Sequence, residues 1–319
     1  MTSASGAASL AASIRWIRMK RIAFAVACLL ALAAPAAAQE WRDALAGGEK
    51  ALAAEKIDDA IRLFRQALAG GAEGRERVRA WHGLAGAAIR AQDFASAETA
   101  IEQARMYITE KFGADDIAMA GNRQLHGVVR LRAHNDREGA RDAFATAARI
   151  RNAKVDAWDE SEGPMGAVGH KPSGLKLPAR AASLVQFRRD INNDDGTDVS
   201  LGYRASRAGA ISVTVYIYRP LGEFRAIFDE EIKVIRAFNP QAVLHREEAQ
   251  ALETKAGKIE GRLARFEYAA QGGVLGTRLY LFPLKRDYVK LRVTFRADDE
   301  AFADTQVAAL LAAIGWPAQ

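Results

Sequence analysis

The chain has 319 residues, half of them hydrophobic and about a quarter charged, with 45 basic against 39 acidic residues and a single cysteine. That length suits two domains, and one cysteine excludes an internal disulfide framework. Basic and acidic residues are interleaved, so there is no clustered Lys/Arg surface of the kind nucleic-acid binding needs, and no nucleic-acid partner is expected.

Residues 1–38 read as a signal peptide. Arg15, Arg18, Lys20 and Arg21 form a positive leader, Ile22 to Ala34 an apolar run, and Ala36-Ala37-Ala38 a small-residue cleavage site. The apolar run is shorter than the roughly 20 residues a membrane span requires, so no transmembrane segment is expected after cleavage. Met19 opens a signal of ordinary length and is the expected start, with Met1 the alternative. Lipid attachment at Cys28 is disfavoured: Ala25-Val26-Ala27 lacks the leucine expected three residues before such a cysteine, and the chain stays apolar to Ala38. A chain beginning at Gln39 would carry 41 basic against 39 acidic residues, nearly neutral, in the periplasm.

From Trp41 to about Arg151 the chain is Ala-rich, free of proline and spaced as helices. Ala60, Phe64 and Ala67 recur as Ala97, Ile101 and Ala104, and again as Ala140, Phe144 and Ala147. Each trio lies on one helix face, with small residues admitting a neighbouring helix and the large one filling the gap. Twelve positions before each first alanine stands a small or apolar residue, Gly48, Ala85 or Val128. These positions, with Trp81 and Leu84, resemble the tetratricopeptide repeat. Repeat spacings of 37 and 43 residues exceed the usual ~34. The stretch Tyr107 to Asp116 is similar to the connector of the longer, kinesin-light-chain-like subclass. That resemblance implies a helical solenoid over 39–155 whose first helices line a concave groove, with Arg42, Arg79, His82 and Asn122 pointing into it.

The stretch 156–174, Asp-Glu-Ser-Glu-Gly-Pro and then Gly-His-Lys-Pro-Ser-Gly, has linker chemistry. Beyond it, 175–319 reads as an α+β domain. Ile211, Val213, Val215 and Ile217 alternate with polar residues, as do Val289, Leu291, Val293 and Phe295, which marks strands with one buried face. Asp198–Tyr203 and Gly261–Tyr268 are further strands. Thr277–Phe282 and Tyr288–Phe295 form a hairpin through Pro283 to Asp287. Helices are expected at Leu221–Phe238 and Ala301–Ile314, covering an antiparallel sheet. Ser173 to Pro178, Asp198 to Tyr203 and Tyr288 to Arg292 resemble small exported bacterial domains of unknown function, and the element order is similar to that of the PsbP and Mog1 proteins; neither likeness implies an activity.

No catalytic residue, metal ligand or cofactor emerges. The five histidines lack a second ligand at metal spacing, no G-x-S-x-G occurs, and Gly272 to Gly276 joins two strands without the Lys-Ser or Lys-Thr of a phosphate loop. Tyr203, Tyr216 and Tyr218 fit a ligand patch or, more simply, aromatic packing under a helix. The expected function is therefore an exported, non-catalytic protein- or peptide-binding scaffold of the envelope, the groove residues carrying the contact. The alternatives are an enzyme or small-ligand binder using the α+β domain, and a self-associating structural component.

Overall fold

A computed structural model describes residues 39–160, 166–205, 211–220 and 222–318. The expected signal peptide, its cleavage site and Cys28 lie outside the described residues. The chain forms two compact units, meeting between Phe144 and Ala145.

The first unit is built of helices α1 (39–53), α2 (Ile57–Ala69), α3 (Gly74–Arg90), α4 (Phe94–Lys111), α5 (Ala118–His134) and the start of α6 (Arg137–Lys154). Short breaks separate them, and two breaks are capped by side chains. Asp93 accepts the Ser96 N–H, and Asp136 accepts the Gly139 N–H, satisfying donors that the first helical turn leaves free. Ala60, Phe64, Ala67, Ala97 and Ala104 are fully buried, with Ile101 nearly so. Ala140 and Ala147 are also buried. A β-carbon on Gly83 would come within 2.4 Å of the Phe64 ring, and one on Gly48 within 2.9 Å. Phe144 meets Gly127 in the same way, at 2.6 Å. Glycines thus hold the sockets for the large residues of the second helices.

The 43 residues from Ala97 to Ala140 include a folded connector. The end of α4 and the residues after it fold back on the start of α3. The Tyr107 hydroxyl accepts the Gly74 N–H at 2.9 Å. Arg75 forms a two-point ion pair with Asp116 while its guanidinium lies 4.2 Å from the Phe112 ring centroid. Asp116 in turn accepts the Ala118 N–H at 2.9 Å, opening α5.

The second unit contains the end of α6 and two antiparallel sheets. The small one orders β1 (Trp158–Asp159), β2 (Val168–His170) and β3 (Leu175–Leu177). Most of the expected linker is therefore structured: His170 is buried, with one ring nitrogen 2.8 Å from the Ser173 hydroxyl and the other 2.8 Å from the Gly196 carbonyl. Turn-forming residues here join very short strands.

The large sheet has eight strands in the order β4 (Arg180–Ala181), β5 (Leu184–Ile191), β6 (Val199–Ala205), β7 (Ile211–Tyr218), β11 (Asp287–Arg296), β10 (Gly273–Leu284), β9 (Gly257–Ala270) and β8 (Val243–Thr254). Helix α7 (Phe224–Phe238) packs on one face through Phe228, Ile232 and Ile235, against Ala264, Phe266, Leu279 and Leu281. Helix α8 (Glu300–Ala313) covers the other, where Leu201, Val213, Val215, Leu291 and Val293 meet Val307 and Leu310. The alternation read in β7 and β11 points at α8. Arg278, fully buried, ties that helix down through ion pairs to Glu300 and Asp304.

Two local expectations change, and one strand had no signal in the sequence. The hairpin turn after β10 is Lys285-Arg286, and Pro283 lies within the strand, opposite Tyr288. Proline is tolerated there because the β9 ladder ends at Leu281, so no strand bond is lost. Gly273 to Gly276 are strand residues too, and only Gln271-Gly272 turn. Finally, β8 is a long edge strand whose Ala, Glu and Gln residues gave no strand signal.

Candidate functional site

The helical unit carries an open cleft of about 610 Å³ between α2 and α4, with α3 as its floor. Helix α2 contributes Arg65, Leu68 and Ala69; α3 contributes Arg77, Trp81 and Leu84; α4 contributes Ala95, Ser96, Thr99 and Ala100. The cleft exists because its walls are small: Ala69, Ala95 and Ala100 leave room above the indole that longer side chains would fill.

Its chemistry is amphipathic. Trp81 and Leu68 are half-buried and Leu84 is buried, giving an apolar base. Arg77 is held in place by the Tyr107 ring, 5.3 Å away, and by the Ala72 carbonyl at 3.4 Å. Arg65 is exposed on the opposite wall. Beside it, Asp93 is held below the usual carboxylate range, chiefly by its hydrogen bonds from Ser96, with Arg65 adding a weaker pull. Ser96 and Thr99 add hydroxyls, that of Thr99 already donated to Ala95 O at 3.0 Å. An apolar anchor beside a carboxylate would find both partners here: indole area for the one, guanidinium for the other.

None of the four residues expected in the concave groove lines this cleft. Arg79 stands on the far side of α3 from Trp81, about 200° around the helix, and His82 about 100° from it. Arg79 is engaged by Glu49, with Nη2 at 2.7 and 2.9 Å from the two carboxylate oxygens. The His82 ring packs against α5, 3.2–3.3 Å from where a Gly121 β-carbon would stand. Arg42 lies over the neighbouring Trp41 ring, at 4.7 Å. Asn122 is a correction: it is 1 % exposed, and its amide donates to the Ile101 carbonyl at 2.7 Å. It seals the α4–α5 contact and faces no groove. Arg65, Arg77 and Leu68 were missed as site residues. Counting four back and three on from Trp81 along a helix reaches Arg77 and Leu84, so part of the cleft was recoverable.

In the second unit the tyrosines separate. Tyr203 faces α8 and its hydroxyl donates to the Pro178 carbonyl at 2.9 Å. Tyr216 and Tyr218 face the other way, where Lys290 lies 4.3 and 5.3 Å from their ring centroids and pairs with Glu231 at 2.7 Å. Tyr218 and Phe224 each meet Tyr288 edge to face, so aromatic packing beside α7 accounts for Tyr218. Burial pushes both Tyr203 and Tyr218 hydroxyls above the ordinary phenol range. Among the described residues no group of three or more His, Cys, Asp and Glu side chains is placed to hold a metal ion, and no helix is long and apolar enough to cross a membrane.

The sequence matches no known family model and no curated protein. Among solved structures, the cyanobacterial PsbP of Synechocystis is 11% identical, over 47% of this chain and 90% of its own, with a TM-score of 0.34. LpqN of Mycobacterium tuberculosis, described as involved in cell envelope biogenesis, is 9% identical over 49% of this chain and 87% of its own, with a TM-score of 0.31. A Pseudomonas aeruginosa protein of unknown function, described as a putative regulator, is 12% identical over 41% and 81%, with a TM-score of 0.26. Likenesses this distant carry no function from one protein to another.

Proposed function

We propose that this is an exported, non-catalytic binding protein of the bacterial envelope, and that its helical unit takes a short peptide segment in the Trp81 cleft. The observation that supports this reading most directly is one arrangement: a half-buried indole in an open cleft, with Arg77 beside it and Arg65 across from it. Apolar pockets with a few placed polar groups are the usual form of a ligand site, and Trp and Arg are the side chains on which binding energy concentrates. The tetratricopeptide-like positions add support, since stacked helix pairs serve widely as peptide-binding surfaces. Export is read from the signal-peptide pattern alone. The cleft would prefer a peptide in which a large apolar residue stands next to Asp, Glu or a chain terminus.

The test is a peptide-array screen of the purified protein, followed by calorimetry on the best sequences. Enrichment of apolar–acidic peptides, lost in Trp81→Ala, is the expected result. An array with no enrichment, or hits that bind Trp81→Ala as tightly as wild type, would remove the cleft as the site.

A further inference from the structure

A second surface, independent of the cleft, lies on the half of the large sheet nearest β5. The pairing of β5 with β6 shifts between Gln186 and Arg188. That bulge re-aims Phe187, and its ring lies over Gly202: a β-carbon at Gly202 would come within 2.9 Å of two ring atoms. The Arg204 guanidinium is 4.2 Å from the same ring's centroid. Even so, Phe187 is 49 % exposed. Gly202 pairs with Thr214, which pairs with Arg292; Arg204 pairs with Ser212. Directly paired residues share a face, so these side chains form one surface. It is the face on which α7 packs farther along, at Leu279 and Leu281. At β6 and β7 the outward residues Arg204 and Ser212 are exposed.

The charge on this surface is one-sided. Arg188 is neutralised by Asp190, and Lys290 by Glu231. Arg204 and Arg292 have no ion-pair partner among the described residues. They stand on strands two steps apart, roughly 10 Å across the sheet, so an extended multi-residue anion bridges them better than a small one. The exposed ring is a single one, Phe187, since Tyr216 is half-buried beneath Lys290. A strand of nucleic-acid bases uses several successive stacking platforms. A peptide added as a further strand would need the β5 edge. There the Asn152 side chain already accepts the Ile191 N–H at 3.0 Å and donates to the Arg189 carbonyl at 3.0 Å.

We propose that this open half of the sheet binds an acidic glycan, a chain of carboxylate-bearing sugars. The face of Phe187 away from Arg204 stacks on one sugar ring, Arg204 and Arg292 pair with carboxylates along the chain, and the Ser212 and Thr214 hydroxyls bond to sugar hydroxyls. No covalent step is involved.

Calorimetric titration of the full chain with tetragalacturonate tests this, with neutral maltotetraose and an oligothymidylate as controls. Saturable binding of tetragalacturonate, weakened by added salt and absent with maltotetraose, is expected. Arg292→Gln should weaken it by about tenfold, the scale of one charge-assisted hydrogen bond. Phe187→Ala should weaken it comparably; if that variant unfolds because Gly202 loses its cover, Arg292→Gln decides alone, since its side chain is outside the core. Trp81→Ala should leave the titration unchanged. Absence of saturable tetragalacturonate binding, or binding that Arg292→Gln does not alter, overturns the proposal. So does oligothymidylate binding that Arg292→Gln weakens equally, which would give the surface to nucleic acid.

Discussion

Trp81 and Arg79 stand two residues apart on α3 and point in nearly opposite directions, about 200° apart around the helix. Trp81 floors the cleft, and Arg79 is turned to Glu49. This separation puts the two candidate surfaces on opposite faces of α3, so they can be tested against each other.

Trp81→Ala should weaken peptide binding by tenfold or more, as hot-spot truncations costing about 2 kcal/mol do. Arg77→Glu should lose acidic peptides selectively. Arg79→Glu breaks an ion pair whose members are about half exposed, so it should cost under about 1 kcal/mol and leave binding intact. Calorimetry with a thermal melt on each variant separates the cases. If Arg79→Glu abolishes binding at unchanged stability, the concave face is the site after all.

Ala97 is fully buried where α4 meets its neighbours. Ala97→Leu should overpack that contact and lower unfolding stability by about 1–3 kcal/mol. Gly83→Ala should act in the same direction, because the new methyl would strike the Phe64 ring. Urea denaturation of the first unit's transition measures both. Unchanged midpoints would mean that these helices are not in close contact.

Asn122→Leu removes the buried amide that donates to the Ile101 carbonyl at 2.7 Å. The expected loss is about 0.5–1.5 kcal/mol, the net contribution of one hydrogen bond, because the Ile101 carbonyl keeps its bond within α4. Peptide affinity should follow stability alone. A variant of wild-type stability with weakened binding would return Asn122 to the role of a ligand contact.

His170 should make the second unit sensitive to mild acid. Burial pulls its imidazole below the ordinary value of 6.5. The unfolded chain therefore takes up the proton first, so stability is full above about pH 6.5 and falls as pH drops below it. Asp198, whose carboxyl is raised by burial, contributes the opposite slope, so the informative quantity is a difference between proteins. Urea midpoints at pH 7 and pH 5 should diverge more in wild type than in His170→Gln. Equal divergence would show that the drop comes from other groups.

The sequence by itself determined the division into a helical half and an α+β half, because both kinds of periodicity are local and strong. Small residues at fixed offsets marked the helix contacts, and alternation marked β7 and β11, whose apolar sides all bury under α8. Tertiary structure alone decided the rest. Long β8 reads as anything but a strand, since an exposed edge needs no apolar pattern and is held by its pairing with β9. The linker-like stretch around His170 became a sheet because Leu175 and Leu177 bury in the domain core. Which face of α3 stays open depends on the small residues that α2 and α4 bring beside Trp81, and the exposure of Phe187 depends on a one-residue bulge opposite a glycine. Both are relations between residues far apart in the chain, and no local spacing encodes them.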